Sequence, residues 1–302
     1  MKKRNDKKTF KFIDLFAGIG GFHLAFNDAG AECVFASEWN EHARKTYEHN
    51  FKKIEPTIFN EGRFAGDITK IVESPRTIRE NIPDFDILTG GFPCQPFSNA
   101  GYKKGFKDPR GTLFYDVVKI LKEMRPPAFF LENVRHLYNH DNGETFKTIK
   151  QTLLDLDYTF DEKIVKASDF GLPQHRARLF MVGFDKKRFG DIKFEFPKPI
   201  ERTMTMSDIF GKKCSRDIGF TLRVGGRGSS IDDRRNWDSY LVGNKIVRLD
   251  PETGKKMMGF PVDFEFPVTD SQAMKQLGNA VAVPAITAVA KEIILTLDRY
   301  AK

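Results

Sequence analysis

Phe12-Ile13-Asp14-Leu15-Phe16-Ala17-Gly18-Ile19-Gly20-Gly21 runs from a short apolar strand into a glycine-rich turn. From Phe22 to Ala29 apolar residues recur at helical spacing, and Gly30 caps the end of that helix. Strand, tight turn and helix in this order make the first unit of a doubly wound α/β sheet. Ligands of such sheets bind beyond the carboxyl ends of the strands. The dinucleotide fingerprint would need a third glycine at position 23, which is His23. The turn suits close approach of a ligand without following the pyrophosphate pattern.

The next strand, Cys33 to Ser37, ends in Glu38-Trp39. An acid at that strand tip can accept from ribose hydroxyls, and the indole beside it can cover an adenine face. Asp67-Ile68 offers a further acid for an adenine amino group. These residues favour an adenosine cofactor lacking a pyrophosphate. A third apolar run, Phe85 to Leu88, leads into Gly90-Gly91-Phe92-Pro93-Cys94-Gln95-Pro96-Phe97-Ser98. A lone cysteine at a strand exit is either a small buried hydrophobe or a nucleophile, and its spacing does not decide between them. The segment from Asn99 to Gly111 that follows is long, glycine-punctuated and basic, and suggests a lid that meets phosphates with Lys103, Lys104 and Arg110.

Leu113 to Met124 reads as a helix, and Ala128 to Leu131 as a buried strand ending in Glu132-Asn133-Val134. Cysteine and glutamate at adjacent strand ends make a nucleophile and acid pair. Asn142 to Leu156 is helical and Tyr158 to Val165 a strand. Gln174-His175-Arg176-Ala177-Arg178 then enters the strand Leu179 to Val182. Alternation puts Arg176 and Arg178 on one face of an extended chain, suited to a base carbonyl and a phosphate, with His175 pointing away. Pro197 and Pro199 mark a boundary, after which the helix-strand alternation weakens. Ser271 to Leu297 reads as one long helical region docked on the sheet.

At 302 residues, with 40% hydrophobic and 30% charged, the chain has the means for one large α/β domain and a smaller appendage. No apolar run approaches the roughly 18 residues of a membrane span. Three scattered cysteines fit a reducing, cytoplasmic setting, and nothing has metal-ligand spacing, so no metal is expected. Of the net charge of +8, much sits between Lys212 and Arg248, where nine Lys or Arg face four Asp. That concentration suggests a polyanionic partner. Within it, Thr221 to Ser230 is rich in glycine and arginine, and Arg234-Arg235-Asn236 follows, the side-chain types that read base edges.

Taken together and in this order, the Asp14–Gly21, Glu38-Trp39, Pro93-Cys94-Gln95, Glu132-Asn133-Val134, Gln174-x-Arg176-x-Arg178 and Gln276-Leu277-Gly278-Asn279-Ala280-Val281 motifs resemble the bacterial cytosine-C5-specific DNA methyltransferases of restriction–modification systems. The resemblance implies a Rossmann-like, S-adenosylmethionine-dependent methyltransferase sheet (residues 1–190 and 268–302) with a small inserted target-recognition domain (191–267). It implies catalysis by Cys94, Glu132, Arg176 and Arg178, with the arginines holding substrate and thiolate. Phe16, Gly18, Gly20, Glu38, Trp39, Asp67, Ile68, Pro93, Asn279 and Val281 would line the cofactor pocket. Ser98, Arg110, Arg223, Arg227, Arg234 and Arg235 would contact DNA. The expected reaction is methyl transfer to carbon 5 of a flipped cytosine in a short double-stranded sequence, through a Cys94 adduct, by a monomer whose site a restriction endonuclease can share. Rival readings are a tRNA cytosine-C5 methyltransferase, a catalytically silent DNA-binding protein and, last, a nicotinamide oxidoreductase. The recognition sequence is not legible.

Overall fold

A computed structural model describes residues 9–93 and 113–300. Cys94, Ser98, Lys103, Lys104 and Arg110 lie outside them, as does the rest of the suggested lid. The strands β1 (Lys11–Leu15), β2 (Glu32–Ser37), β3 (Phe64–Ala65), β4 (Ile87–Gly90), β5 (Ala128–Val134), β6 (Asp161–Lys166) and β7 (Ala177–Phe184) form a seven-stranded sheet. Their order is β3-β2-β1-β4-β5-β7-β6. β1 pairs in parallel with both β2 and β4, and β4 with β5, while β7 runs antiparallel to its neighbours β5 and β6. This is the Rossmann-like sheet that the resemblance implies, with a reversed seventh strand.

Successive residues of the central strands enter opposite cores, which is why these strands read as unbroken apolar runs. Phe12, Ile87 and Phe130 join one apolar layer, and Ile13, Leu88 and Phe129 the other. The first layer continues without a break into Met206, Trp237, Tyr240 and Met257, so residues after 191 share the main core. That later part holds the helices Met206–Phe210 and Pro251–Met258 and a hairpin of β8 (Ser239–Val242) and β9 (Lys245–Arg248).

Several local expectations shift. The C-terminal helical region is two helices, Asp270–Asn279 and Val283–Tyr300, separated at Ala280 to Ala282. Pro284 fits the first turn of the second, where its missing N–H costs nothing. By length and composition alone the stretch Asp270–Tyr300 could cross a membrane, contrary to the sequence reading, yet 56% of its apolar window is buried inside the protein. The helix expected from Asn142 begins at Glu144, after positive φ at Asp141, Asn142 and Gly143. Asp67, offered by the sequence as a further acid for an adenine amino group, caps the short helix Ile68–Ile71.

Candidate active site

The glycine turn has three residues with positive φ: Phe16 at 57°, Gly18 at 56° and Gly20 at 88°. A Cβ on Gly20 would lie 2.2 Å from the Phe51 ring, and one on Gly21 2.5 Å from Val281 Cγ2. The turn is therefore wedged between the helix Glu41–Phe51 and the break in the C-terminal helices, which brings Val281 to the N-terminal turn. His23, at the place of the missing third glycine, is wholly buried; its ring stacks on Phe51 at 3.9 Å and its Nδ1 lies 2.6 Å from the Tyr47 hydroxyl. An imidazole packs this helix where a glycine would allow closer approach.

Glu38 is 8% exposed, and its carboxylate accepts from the backbone N–H of Gly18 (2.8 Å) and of Asn40 (2.8 Å). Burial pushes its pKa up, while those N–H groups and Arg44 hold it down. Arg44 ties the β2 tip to β3 by donating to the carbonyls of Glu38, Ala65 and Phe64. Trp39 beside the carboxylate is 82% exposed, a flat apolar face open to a ligand. Asp67 is exposed, its Oδ1 accepting from the N–H and hydroxyl of Thr69, and Ile68 beside it is buried. Asn279 is exposed at the end of its helix. An anchored acid, a cradle too tight for side chains and an exposed indole fit an adenosine-bearing cofactor. Asp14, beneath the turn, was no sequence candidate; it is fully buried, and burial followed by the Glu38 charge pushes its pKa well up.

The second half of the site depends on the reversed strand. Because β7 is antiparallel to β5, its start lies at the carboxyl end of β5, with Val134 opposite Arg178. Arg178 Nε meets Glu132 Oε1 at 2.9 Å. Burial raises the Glu132 pKa, opposed by the charges of Arg178 and Arg176. A Cβ on Gly91 would stand 3.2 Å from Glu132 Oε2, so the exit of β4 passes directly by the carboxylate. Asn133 Nδ2 donates to the Phe92 carbonyl at 2.8 Å, fixing the chain two residues before Cys94. Pro93, the last described residue there, is exposed. Sequence reasoning treated Asn133 only as part of a motif; its place between Glu132 and Val134 was the available signal.

Arg176 departs from the expected strand geometry. Its φ is 26° and β7 begins one residue later, so strand alternation does not apply to it. The side chain is 1% exposed; Nη1 donates to the Leu222 carbonyl at 3.1 Å, and Nη2 to the carbonyls of Gly278 (2.9 Å) and Ala280. Its Nη1 and Nη2 grip backbone rather than facing an open site, while its charge lies near enough to Arg178 and Glu132 to act on both. His175 is exposed.

Arg223, Arg227, Arg234 and Arg235 are all exposed. Arg235 pairs with Asp233 at 2.7 Å, and Arg227 Nη2 donates to the Leu249 carbonyl at 2.7 Å. Exposed pairs are worth about 0–1 kcal/mol, so a phosphate can displace Asp233. The glycine-rich loop is ordered by two residues that the sequence did not flag. Trp237 Nε1 donates to the Gly225 carbonyl at 2.9 Å, and the fully buried Asp238 carboxylate accepts from Gly228 N–H at 3.2 Å and lies 3.4 Å from Arg248 Nη1.

The family of C-5 cytosine-specific DNA methylases matches residues 10–224 and 223–295. Type II methyltransferase M.SsoII of Shigella sonnei is 40% identical over 328 aligned positions, spanning 97% of this chain and 82% of that protein. M.HhaI of Haemophilus parahaemolyticus is 35% identical, spanning 95% of each. Among solved structures, a DNMT2 mutant of Spodoptera frugiperda covers 95% of the chain at TM-score 0.71 and 20% identity, and a methyltransferase of Entamoeba histolytica covers 96% at 0.71 and 19%. At such identities these two speak for the fold alone.

Proposed function

The chain belongs to the C-5 cytosine-specific DNA methylase family, and from that premise we propose how its residues divide the work of a type II modification enzyme. Members transfer a methyl group from S-adenosylmethionine to carbon 5 of cytosine in DNA. When bound, the cofactor supplies an electrophilic sulfonium methyl. Phe16, Gly18, Gly20, Glu38, Trp39, Asp67, Ile68, Pro93, Asn279 and Val281 would hold it. Glu38 accepts from ribose hydroxyls with the lone pairs its two backbone donors leave free, and Trp39 covers the adenine.

The single observation that carries the catalytic assignment is the Glu132–Arg178 pair beside the backbone that leads to Cys94. A thiolate at Cys94 adds to carbon 6 of the cytosine, breaking its aromaticity. Negative charge develops toward N3, where protonated Glu132 donates; its raised pKa keeps a proton available at higher pH than an ordinary glutamate would. Arg178 orients that carboxyl and offers its remaining N–H groups to the base carbonyl. Carbon 5 thereby becomes enamine-like, and once it carries the methyl group that the bound cofactor would supply, loss of its proton with expulsion of Cys94 restores the ring. A duplex hides that carbon, so the base must be flipped out.

Residues 191–267 serve as the target-recognition part, a reading supported by its basic excess and by the pinned loop from Thr221 to Gly228. Arg223, Arg227, Arg234 and Arg235 meet the duplex there, with Ser98 and Arg110 from the loop after Cys94. The enzyme acts as a cytoplasmic monomer and protects host DNA from an endonuclease of the same site. Incubation with 5-fluorocytosine duplex tests the chemistry. The parent should form a covalent complex that survives denaturing electrophoresis, and Cys94→Ala should bind DNA without forming it. A covalent complex with Cys94→Ala would refute the assignment.

A further inference from the structure

Arg176 joins two parts of the molecule that the proposed function keeps separate. Leu222, whose carbonyl accepts from its Nη1, immediately precedes Arg223 in the loop assigned to DNA. Gly278 and Ala280, whose carbonyls accept from its Nη2, bracket Asn279 of the cofactor pocket. The backbone N–H of Arg176 also donates to Thr221 Oγ1 at 3.2 Å, and the neighbouring Gln174 accepts from Leu222 N–H at 3.0 Å. The two segments are in direct contact: a Cβ on Gly278 would stand 2.6 Å from the Arg223 carbonyl carbon and 2.8 Å from Val224 N. The same guanidinium lies close enough to Glu132 for its charge to lower that carboxyl's pKa.

We propose that Arg176 is a positioning residue that sets the register of the Thr221–Gly228 loop against the Gly278–Ala280 turn. One buried planar cation thereby couples target recognition to cofactor binding. The geometry explains the choice of residue. Only a guanidinium can donate in fixed directions to carbonyls from both segments at once, whereas a lysine is a rotating point charge. With the fork in place, a displacement of the loop by an incorrect sequence is carried to the turn that holds the cofactor. Without it the loop can adapt to other sequences, and cofactor and duplex lose their mutual effect, because coupling between two ligands is reciprocal.

This inference rests on the loop's assignment to DNA, and the test separates the two. Bisulfite sequencing of plasmid libraries from hosts expressing the parent, Arg176→Lys and Thr221→Val gives the ratio of off-motif to on-motif methylation. Anisotropy with S-adenosylhomocysteine gives the factor by which that compound tightens duplex binding. For Arg176→Lys we expect the off-motif share to rise about tenfold, the scale of losing one charged hydrogen bond, and the tightening factor to fall toward one. Thr221→Val, which removes a single acceptor and keeps the guanidinium, should move both readouts in the same direction by less; it carries the test if Arg176→Lys does not fold. Unchanged ratios in a folded variant, whatever happens to kcat, would overturn the proposal and leave Arg176 an ordinary structural residue. A parent without any sequence motif would instead sink the assignment of the loop, and this inference with it.

Discussion

Replacing Glu132 by Gln probes the site at its centre. The variant keeps the shape, an N–H donor near N3 and an oxygen that can accept from Arg178, but removes the acid and the negative charge. Two penalties follow, and their sizes can be separated. Arg178 exchanges the carboxylate at 2.9 Å for a neutral amide oxygen, and weakening a charged hydrogen bond in this way costs about 1–2 kcal/mol. Because the Arg178 side chain keeps 16% of its surface, water can compensate in part and the low end applies. Loss of general-acid assistance lowers the rate by about 10²–10⁴, or about 3–5 kcal/mol of barrier. A domain of ordinary stability, about 5–15 kcal/mol, survives the first penalty almost fully folded, so the activity lost is chemical. The pH dependence gives a second readout. Burial raises the Glu132 pKa, so the native state holds its proton through a window above 4.5 where the unfolded chain has released it. In that window stability falls as pH rises, and the parent's rate declines as Glu132 ionises. Glu132→Gln should lose both dependences. Single-turnover methyl transfer from tritiated cofactor across pH, with urea unfolding alongside, measures all of this. A rate within tenfold of the parent, or a retained alkaline decline, would refute the acid role of Glu132.

Gly20→Ala should destabilise by about 2–5 kcal/mol, combining a left-handed residue with overpacking against Phe51. Urea titration and calorimetric cofactor binding check it; a loss below 1 kcal/mol with unchanged affinity would contradict the wedged turn. Asn133→Ala removes the donor to the Phe92 carbonyl and should lower kcat more than duplex affinity, since it frees the chain before Cys94 rather than the reading loop. Steady-state kinetics against binding in one buffer would show the reverse if Asn133 served DNA contact.

The sheet was legible because each strand of the first half carries both cores at once, and because the Gly18–Gly21 turn has few alternatives. The acids at 38 and 132 were legible from their places at strand ends. Arg176 was not: a positive φ one residue before β7 defeats any argument from alternation, and its acceptors come from positions 222, 278 and 280. The break at Ala280 to Ala282 hid behind continuous apolar spacing, with Pro284 the one mark of a new helix start. Trp237 and Asp238 act through tertiary hydrogen bonds to Gly225 and Gly228 that no spacing rule anticipates.

Mass spectrometry of nucleosides tests the central claim most directly. Duplex DNA and tRNA are each incubated with the protein and S-adenosylmethionine carrying a labelled methyl group, then digested. Labelled 5-methylcytosine in the DNA alone is the predicted result. Label on a cytosine or adenine amino nitrogen, or in tRNA and not DNA, would contradict it.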